Sequence, residues 1–235
     1  MAGLLRFLAL FVALVAFLAL VALPLAATPI LTQMVRDMGL RSDSLRVSVA
    51  LFDPTLMFGR SRSLHVSAAN VDLSPATIGS LELSLGDVSL FDRTWRTVDG
   101  AITNISLTTG GTTVSVGSVR VTGEAGAANA TAHLTAAESE ALVRFAAERE
   151  GLVLDRVGFS NEGVRVTVGG AEALARLEVR GGALVLFPGT GYGGVPLLQP
   201  APSDAWQLEE AWISDDGLNV RGVVDTRRLA EQVTN

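Results

Sequence analysis

The 235-residue sequence contains neither cysteine nor lysine, and all 18 of its basic residues are arginine. Without cysteine there is no disulfide scaffold, no thiolate metal site, no cysteine nucleophile and no acylated lipoprotein N-terminus. Acidic residues number 24, the formal net charge is −6, and no basic run is present. Because affinity for nucleic acid depends on neutralising phosphates, this composition argues against a nucleic-acid partner.

Catalytic signatures are scarce as well. His65 and His133 are the only imidazoles, and neither G-x-S-x-G nor H-E-x-x-H occurs. The glycine cluster at 189–194 resembles a nucleotide-binding loop, but Val195 and Pro196 follow where a phosphate-binding helix would have to begin. We therefore predict that the protein is not an enzyme and has no cofactor and no metal site.

The N-terminus has the character of a membrane segment. Phe7 to Ala27 is 21 residues without a charge, and a helix of that length spans roughly 30 Å. Leu25-Ala26-Ala27 is a poor signal-peptidase site, so 1–27 is expected to be a transmembrane anchor or uncleaved signal, with a cleaved signal peptide as the alternative. In either case 28–235 is expected to be a single domain on the extracytoplasmic side of the cell membrane.

Alternating apolar residues after this segment predict a domain made mainly of strands. An amphipathic helix is expected first, over 30–38, followed by strands over 45–51, 64–68 and 81–90. The alternation slips by one residue at Gly86-Asp87 and again at Gly117, as a β-bulge would cause. Two such slips favour bent strands, as in a barrel or a coiled sheet.

One helix and a series of hairpins are predicted in the C-terminal half. Thr135 and Glu138 form a capping box at the start of the helix, and Gly151 ends it. Asp225 is expected to cap a short last helix, with Leu229 and Val233 facing inward. Hairpin turns are expected where glycine follows a polar residue or another glycine, at 161–163, 169–170, 180–182 and 215–217.

Two connecting segments are unusually apolar. They are Phe52–Phe58, which contains a proline, and Val195–Leu198. One interpretation is that they cover the ends of the core. The other is that they form the rim of a lipid pocket or contact the bilayer.

The order of these features resembles the LmeA-like phospholipid-binding family of bacterial cell envelopes. The resemblance covers roughly 30–233 and rests on the apolar loop 52–59, the strand pair 64–71 and 81–88, the capped helix at 134–138, the meander 177–188 and the segment 213–220. It implies an elongated β-barrel similar to tubular lipid-binding domains, with an apolar cavity for acyl chains and a role in envelope lipid or glycolipid assembly. Asp92 to Gly111, which contains Trp95, has no counterpart in this resemblance.

The expected fold is therefore α+β and mainly β: an elongated antiparallel β-barrel or a strongly coiled sheet, a few flanking helices and an N-terminal transmembrane helix. The expected partners are the membrane and a phospholipid or related lipid. The apolar strand faces expected to line the lipid site are Val47, Val49, Leu51, Leu83, Leu85, Val166, Val168, Leu177, Val179, Leu186, Leu218 and Val220. The residues expected at the rim or in membrane contact are Phe52, Leu56, Met57, Phe58, Val195, Leu197 and Leu198.

Two alternatives stay open. The first is a structural or adhesive β-sandwich of the envelope with a filled core, since the same strand faces suit a solid interior equally well. The second is an enzyme acting on envelope lipids. It would require His65 or His133 in a cleft beside a serine and a carboxylate.

Overall fold

The structure, a computed structural model, describes residues 41–42, 44–50, 53–73, 76–92, 94–109, 112–188, 193–201, 203–214 and 216–229. The expected anchor at 1–27, the amphipathic helix at 30–38, and Leu51, Phe52 and Val233 lie outside these ranges. Within the described ranges, no helix is long and apolar enough to cross a membrane.

The described chain is built mainly of strands, as the alternation predicts. One α-helix, α1, spans Ala136–Arg149, and a 3-10 helix spans Pro54–Phe58. The strands are β1 (Arg41–Ser42), β2 (Arg46–Val49), β3 (Arg60–Leu73), β4 (Ala76–Ser89), β5 (Thr97–Thr109), β6 (Thr112–Glu124), β7 (Ala127–Thr135), β8 (Arg156–Ser160), β9 (Gly163–Val168), β10 (Ala171–Arg180), β11 (Ala183–Pro188), β12 (Val195–Leu198), β13 (Trp206–Ser214) and β14 (Gly217–Val224).

These strands form two antiparallel sheets. The large sheet has the order β1-β3-β4-β5-β6-β7-β14-β13, with β2 also paired to β3, and the small sheet has the order β12-β11-β10-β9-β8. Neither sheet closes into a barrel, so that part of the expected fold is wrong. A closed barrel requires the outermost strands to pair with each other. Here β8 to β12 pair among themselves, and β13 pairs with β14 only.

The predicted one-residue slips in the apolar alternation are present, but they are not produced by β-bulges. Asn70, Gly79, Asn104 and Gly117 lie in one row across β3 to β6, and the pairing on either side of the row keeps its register. Asn70 and Asn104 have positive φ angles of 51° and 53°, and Asp87 in β4 has 50°. A bulge adds a residue to one strand only, whereas here all four strands slip together.

The row combines asparagine and glycine for a steric reason. Asparagine accepts the left-handed conformation more readily than most residues, and each asparagine in the row lies opposite a glycine. A Cβ atom on Gly79 would lie 2.8 Å from the Cβ of Asn104, which is too close for two carbons. Because the alternation shifts by one residue at the row, Val71 and Ile78, which lie beyond it, are buried on the same face as Ala68 and Leu81 before it.

The largest hydrophobic cluster, called here the main core, lies between the two sheets. Helix α1 packs against β6, β7 and β14 of the large sheet and against β8 and β12 of the small sheet. The predicted capping box is confirmed, because Thr135 Oγ1 accepts from the Glu138 N–H and Glu138 Oε2 accepts from the Thr135 N–H. The buried residues of the main core are Leu134, Leu142, Val143, Ala146, Val164, Val166, Ala175, Leu184, Leu186, Leu197, Leu218 and Val220.

Two smaller clusters lie elsewhere on the same face of the large sheet. The edge cluster belongs to β2, β3, β4 and the segments beside them, and its buried residues are Leu45, Val47, Leu64, Val66, Ala68, Val71, Ile78, Leu81 and Val88. The corner cluster belongs to β5, β6, β7 and β14, and its buried residues are Val98, Val121, Ala128 and Val224.

The C-terminal helical turn at 226–229 joins the chain to the segment before β5. Asp225 caps the turn as predicted, because its Oδ1 accepts from the N–H groups of Arg227 and Arg228. Thr226 Oγ1 accepts from the indole N–H of Trp95 at 3.0 Å, and the Arg227 guanidinium donates to the Trp95 carbonyl. Leu229 is exposed, so the expectation that it faces inward is wrong.

Candidate functional site

The residues predicted to line one lipid site separate into two groups in the structure. Val47, Val49, Leu83 and Leu85 lie in or against the edge cluster. Val168 is exposed near a hairpin turn, and Leu51 lies outside the described residues. The remaining six belong to the main core or pack against it: Val166, Leu177, Val179, Leu186, Leu218 and Val220.

The predicted rim residues divide as well. Leu56 is buried beneath the 3-10 helix, whereas Phe58 on the same helix is largely exposed. Val195, Leu197 and Leu198 belong to β12, an outer strand of the small sheet, and pack into or against the main core. Phe52 and the side chain of Met57 lie outside what the structure describes.

The half-buried apolar residues between the edge and corner clusters form the best candidate for an apolar ligand site. Leu83, Leu85 and Trp95 pack against both clusters, and Ile102 and Val119 continue the row across β5 and β6. We call these five residues the apolar strip. They share one face, because Leu83 pairs with Gly100 and Leu81 with Ile102, which in turn pairs with Val119.

A glycine shapes the middle of the strip. Gly100 lies between Leu83 and Val121 on the inward face, where a Cβ atom would overlap the Leu83 side chain and the carbonyl oxygen of Glu82. Leu83 therefore lies directly over the backbone of β5. Sequence reasoning included Leu83 and Leu85 in the lining but not Trp95, whose position depends on its hydrogen bond to Thr226, 131 residues away.

A second feature is the buried carboxylate of Asp53, which holds the loop that carries Phe58. Its oxygens accept from the Thr55 N–H, the Thr55 hydroxyl, the Ser61 hydroxyl and the Arg62 N–H, the last at 2.7 Å. Burial raises the pKa of the Asp53 carboxyl. The hydrogen bonds from Thr55 and Arg62, helped by the Arg62 charge, outweigh burial and hold that pKa below its ordinary value.

We expect replacement of Asp53 by asparagine to lower the free energy of unfolding by about 1–2 kcal/mol at neutral pH, because the oxygen that accepts from the Arg62 N–H and the negative charge are lost while the capping oxygen is kept. Since the folded-state pKa is depressed, the stabilisation is complete above the unfolded-state pKa and disappears as pH falls through the folded-state pKa. Urea unfolding of both proteins at neutral and strongly acidic pH measures this. The difference between them should shrink in acid, and a constant difference would contradict the prediction.

His133 and Ser214 both contact the Asp216 carboxylate, so the residue types that the enzyme alternative requires are present, but the hydrogen bonds run differently. Its Nδ1 is 3.1 Å from Asn219 Oδ1, and its Nε2 is 3.6 Å from Asp216 Oδ2. Ser214 Oγ donates to Asp216 Oδ1 at 2.6 Å and accepts from Asn219 Nδ2. A serine nucleophile passes its proton to the base, whereas this hydroxyl donates to the carboxylate.

The same cluster has a clear structural role. The Ser214 hydroxyl holds the pKa of Asp216 below its ordinary value, and the Asp216 carbonyl accepts from the N–H of Ala136 at the start of α1. These contacts fix the turn between β13 and β14 against the helix N-terminus. His65 lies on the outward face of β3, where its Nδ1 is 3.1 Å from the exposed Ser84 hydroxyl of β4.

Comparison of this chain with protein-family models, with curated proteins and with solved structures finds no match in any of the three. The resemblance to the LmeA-like family therefore stays a prediction, and the candidate function depends on the geometry alone.

Proposed function

We propose that this protein binds a membrane lipid on the extracytoplasmic side of the membrane, with the apolar strip in contact with an acyl chain. The supporting observation is that the apolar face of the large sheet is only partly used by the main core. Among the described residues, the edge and corner clusters contain none from α1 or the small sheet. They meet at half-buried Leu83, Leu85 and Trp95.

An acyl chain is the ligand whose chemistry this strip suits best. The strip offers aliphatic side chains and one indole ring whose N–H is already engaged by Thr226. Burial of apolar surface contributes about 25 cal/mol per Å², so roughly 200 Å² of contact would contribute about 5 kcal/mol without any polar recognition. The coiled form of sheet that the sequence predicts would let the strip wrap around such a chain.

A structural or adhesive module is the second candidate, and a specific observation favours it. Val71 and Val47 in the edge cluster are only 1% and 2% exposed, as in a filled core. In that case the strip is the less tightly packed margin of a solid interior, and the protein carries no ligand.

Purification of the full chain in a detergent that native mass spectrometry tolerates, followed by lipid extraction, distinguishes the two candidates. Lipid binding predicts a co-purified phospholipid. Leu83→Ser should retain about tenfold less of it, because a hydroxyl replaces apolar contact in the middle of the strip. Leu174→Ser, on the outward face of the small sheet, is the matched control and should retain the wild-type amount.

Thermal unfolding of both variants shows whether a lost lipid reflects a lost fold. An unliganded mass for the wild type, unchanged after incubation with phospholipid vesicles, would leave the structural module as the function.

A further inference from the structure

Two phenylalanine rings project from one end of the large sheet. Phe58 is 77% exposed and Phe91 is 81% exposed, although side chains of this size are usually covered in a folded protein. They are neighbours in space, because the Phe91 ring lies against Gly59, where a Cβ atom would overlap it. We call this pair the aromatic knob.

The knob is held firmly rather than placed on a loose loop. Asp53 caps the 3-10 helix that carries Phe58, and Gly59 ends that helix with a positive φ of 67°. The Leu90 N–H donates to the Gly59 carbonyl at 2.8 Å, which joins the two turns that carry the rings. The second turn is closed by the Ser89 hydroxyl, which donates to the Asp92 carboxylate at 2.7 Å. The backbone that carries the rings is therefore already ordered before binding, which lowers the entropy that binding would otherwise cost.

The knob lies far from the point where the described part of the domain begins. Arg41, the first described residue, pairs with Asp72 near the end of β3, whereas the knob adjoins Arg60 at its start. Twelve residues of extended strand separate Asp72 from Arg60, which corresponds to about 40 Å. The knob and the first described residue therefore lie at opposite ends of β3.

A bilayer fits the knob better than a folded protein partner does. A stable protein interface buries about 800 Å² on each side, more than two phenylalanine side chains on adjoining turns can supply. A lipid interface accepts projecting aromatic rings without a complementary shape. The guanidinium groups of exposed Arg60 and Arg62, next along the chain, provide donors for lipid phosphates.

We infer that the aromatic knob inserts into the surface of a second bilayer that faces the bilayer of the anchor. This inference depends on the proposed function for its anchored orientation. The protein then connects two lipid surfaces about 40 Å apart or more, with the apolar strip on the sheet between them. The two rings enter the lipid surface noncovalently, so no bond is formed or broken.

The experiment uses the full chain in lipid nanodiscs, mixed with protein-free vesicles of phosphatidylcholine containing some phosphatidylglycerol. Flotation should carry the nanodisc protein upward with the vesicles. The double variant Phe58→Ser with Phe91→Ser should float about tenfold less. Val153→Ser is the matched control, since Val153 is 76% exposed in the loop after α1, and it should float like the wild type.

A second double variant, Phe58→Trp with Phe91→Trp, keeps aromatic rings at both positions and should float like the wild type. Its added fluorescence should be quenched by brominated lipid placed in the vesicles. Quenching only by brominated lipid in the nanodisc would overturn the inference, because the knob would then contact the anchoring bilayer. Wild-type flotation of the serine variant, or no flotation of the wild-type protein, would overturn it as well.

Thermal unfolding and the lipid-extraction measurement are repeated on each variant. An unchanged melting temperature shows that lost flotation is not lost fold. A co-purified lipid without flotation would contradict insertion of the knob into a second bilayer but would support the proposed lipid binding. Flotation without a co-purified lipid would contradict the proposed lipid binding but would support insertion of the knob.

Discussion

Leu184→Ala is expected to lower the free energy of unfolding by about 3–4 kcal/mol. Leu184 is 0% exposed and lies on β11, in the interior of the small sheet, with its side chain in the main core. It pairs with Val179 of β10 and Leu198 of β12, and both of these also pack against the main core. Truncation removes apolar contact and leaves a cavity that strands fixed on both sides cannot collapse to fill.

Leu174→Ala is the matched control for this prediction. Leu174 belongs to the same sheet but is 42% exposed, so its truncation should change the free energy of unfolding by about 0.5 kcal/mol or less. Urea unfolding followed by far-ultraviolet circular dichroism measures both variants. Equal effects of the two substitutions would mean that the small sheet does not pack against the large sheet through Leu184.

Gly217→Ala is expected to lower the free energy of unfolding by about 3 kcal/mol or more. Gly217 begins β14 with a φ of 148°, a conformation that residues with a Cβ atom avoid. A Cβ atom there would also overlap the carbonyl oxygen of Leu134, which is part of the backbone and cannot rotate away. The displacement would pass to α1, because the preceding residue, Asp216, accepts from the Ala136 N–H.

Two other glycines separate the conformational effect from the steric one. Gly169 has a φ of 56°, but a Cβ atom there would have no neighbouring atom within 4 Å, so Gly169→Ala should cost only about 1 kcal/mol. Gly158 has open space and no positive φ, so Gly158→Ala should be close to neutral. We expect the melting temperature to fall most in Gly217→Ala, less in Gly169→Ala and least in Gly158→Ala. A Gly217→Ala variant that melts like Gly169→Ala would show that β7 and β14 can separate at this point.

The division of the apolar residues has a functional consequence. The main core joins the small sheet to β7 and β14 and contains Leu184 and Leu218, which no ligand can reach without unfolding. The lipid, in our proposal, occupies the strip at Leu83 and Trp95, and the contact with the second bilayer is made by Phe58 and Phe91. Core truncations should therefore affect stability, whereas changes in the strip and the knob should affect lipid retention and vesicle binding.

Features that depend on neighbouring residues were predictable from the sequence. The alternation predicted the strands, Thr135 and Glu138 predicted the start of α1, and paired glycines predicted the turns at 169–170 and 181–182. The slips at Asp87 and Gly117 were predicted as well, although not their continuation across neighbouring strands. Capping, turn geometry and alternation act over a few residues, so a short stretch of sequence contains all the information that determines them.

Strand pairing and the grouping of apolar faces were decided only in the tertiary structure. Alternation predicts that Leu85 and Val220 each lie on the buried face of a strand. It does not show that Leu85 packs against the edge cluster and that Val220 belongs to the main core. The expected barrel does not close because β13 pairs with β14 only and the strands of the small sheet pair among themselves. The hydrogen bond from Trp95 to Thr226 joins residues 131 positions apart. Many pairings satisfy the same alternation, and the choice among them depends on packing energies between segments that are distant in sequence.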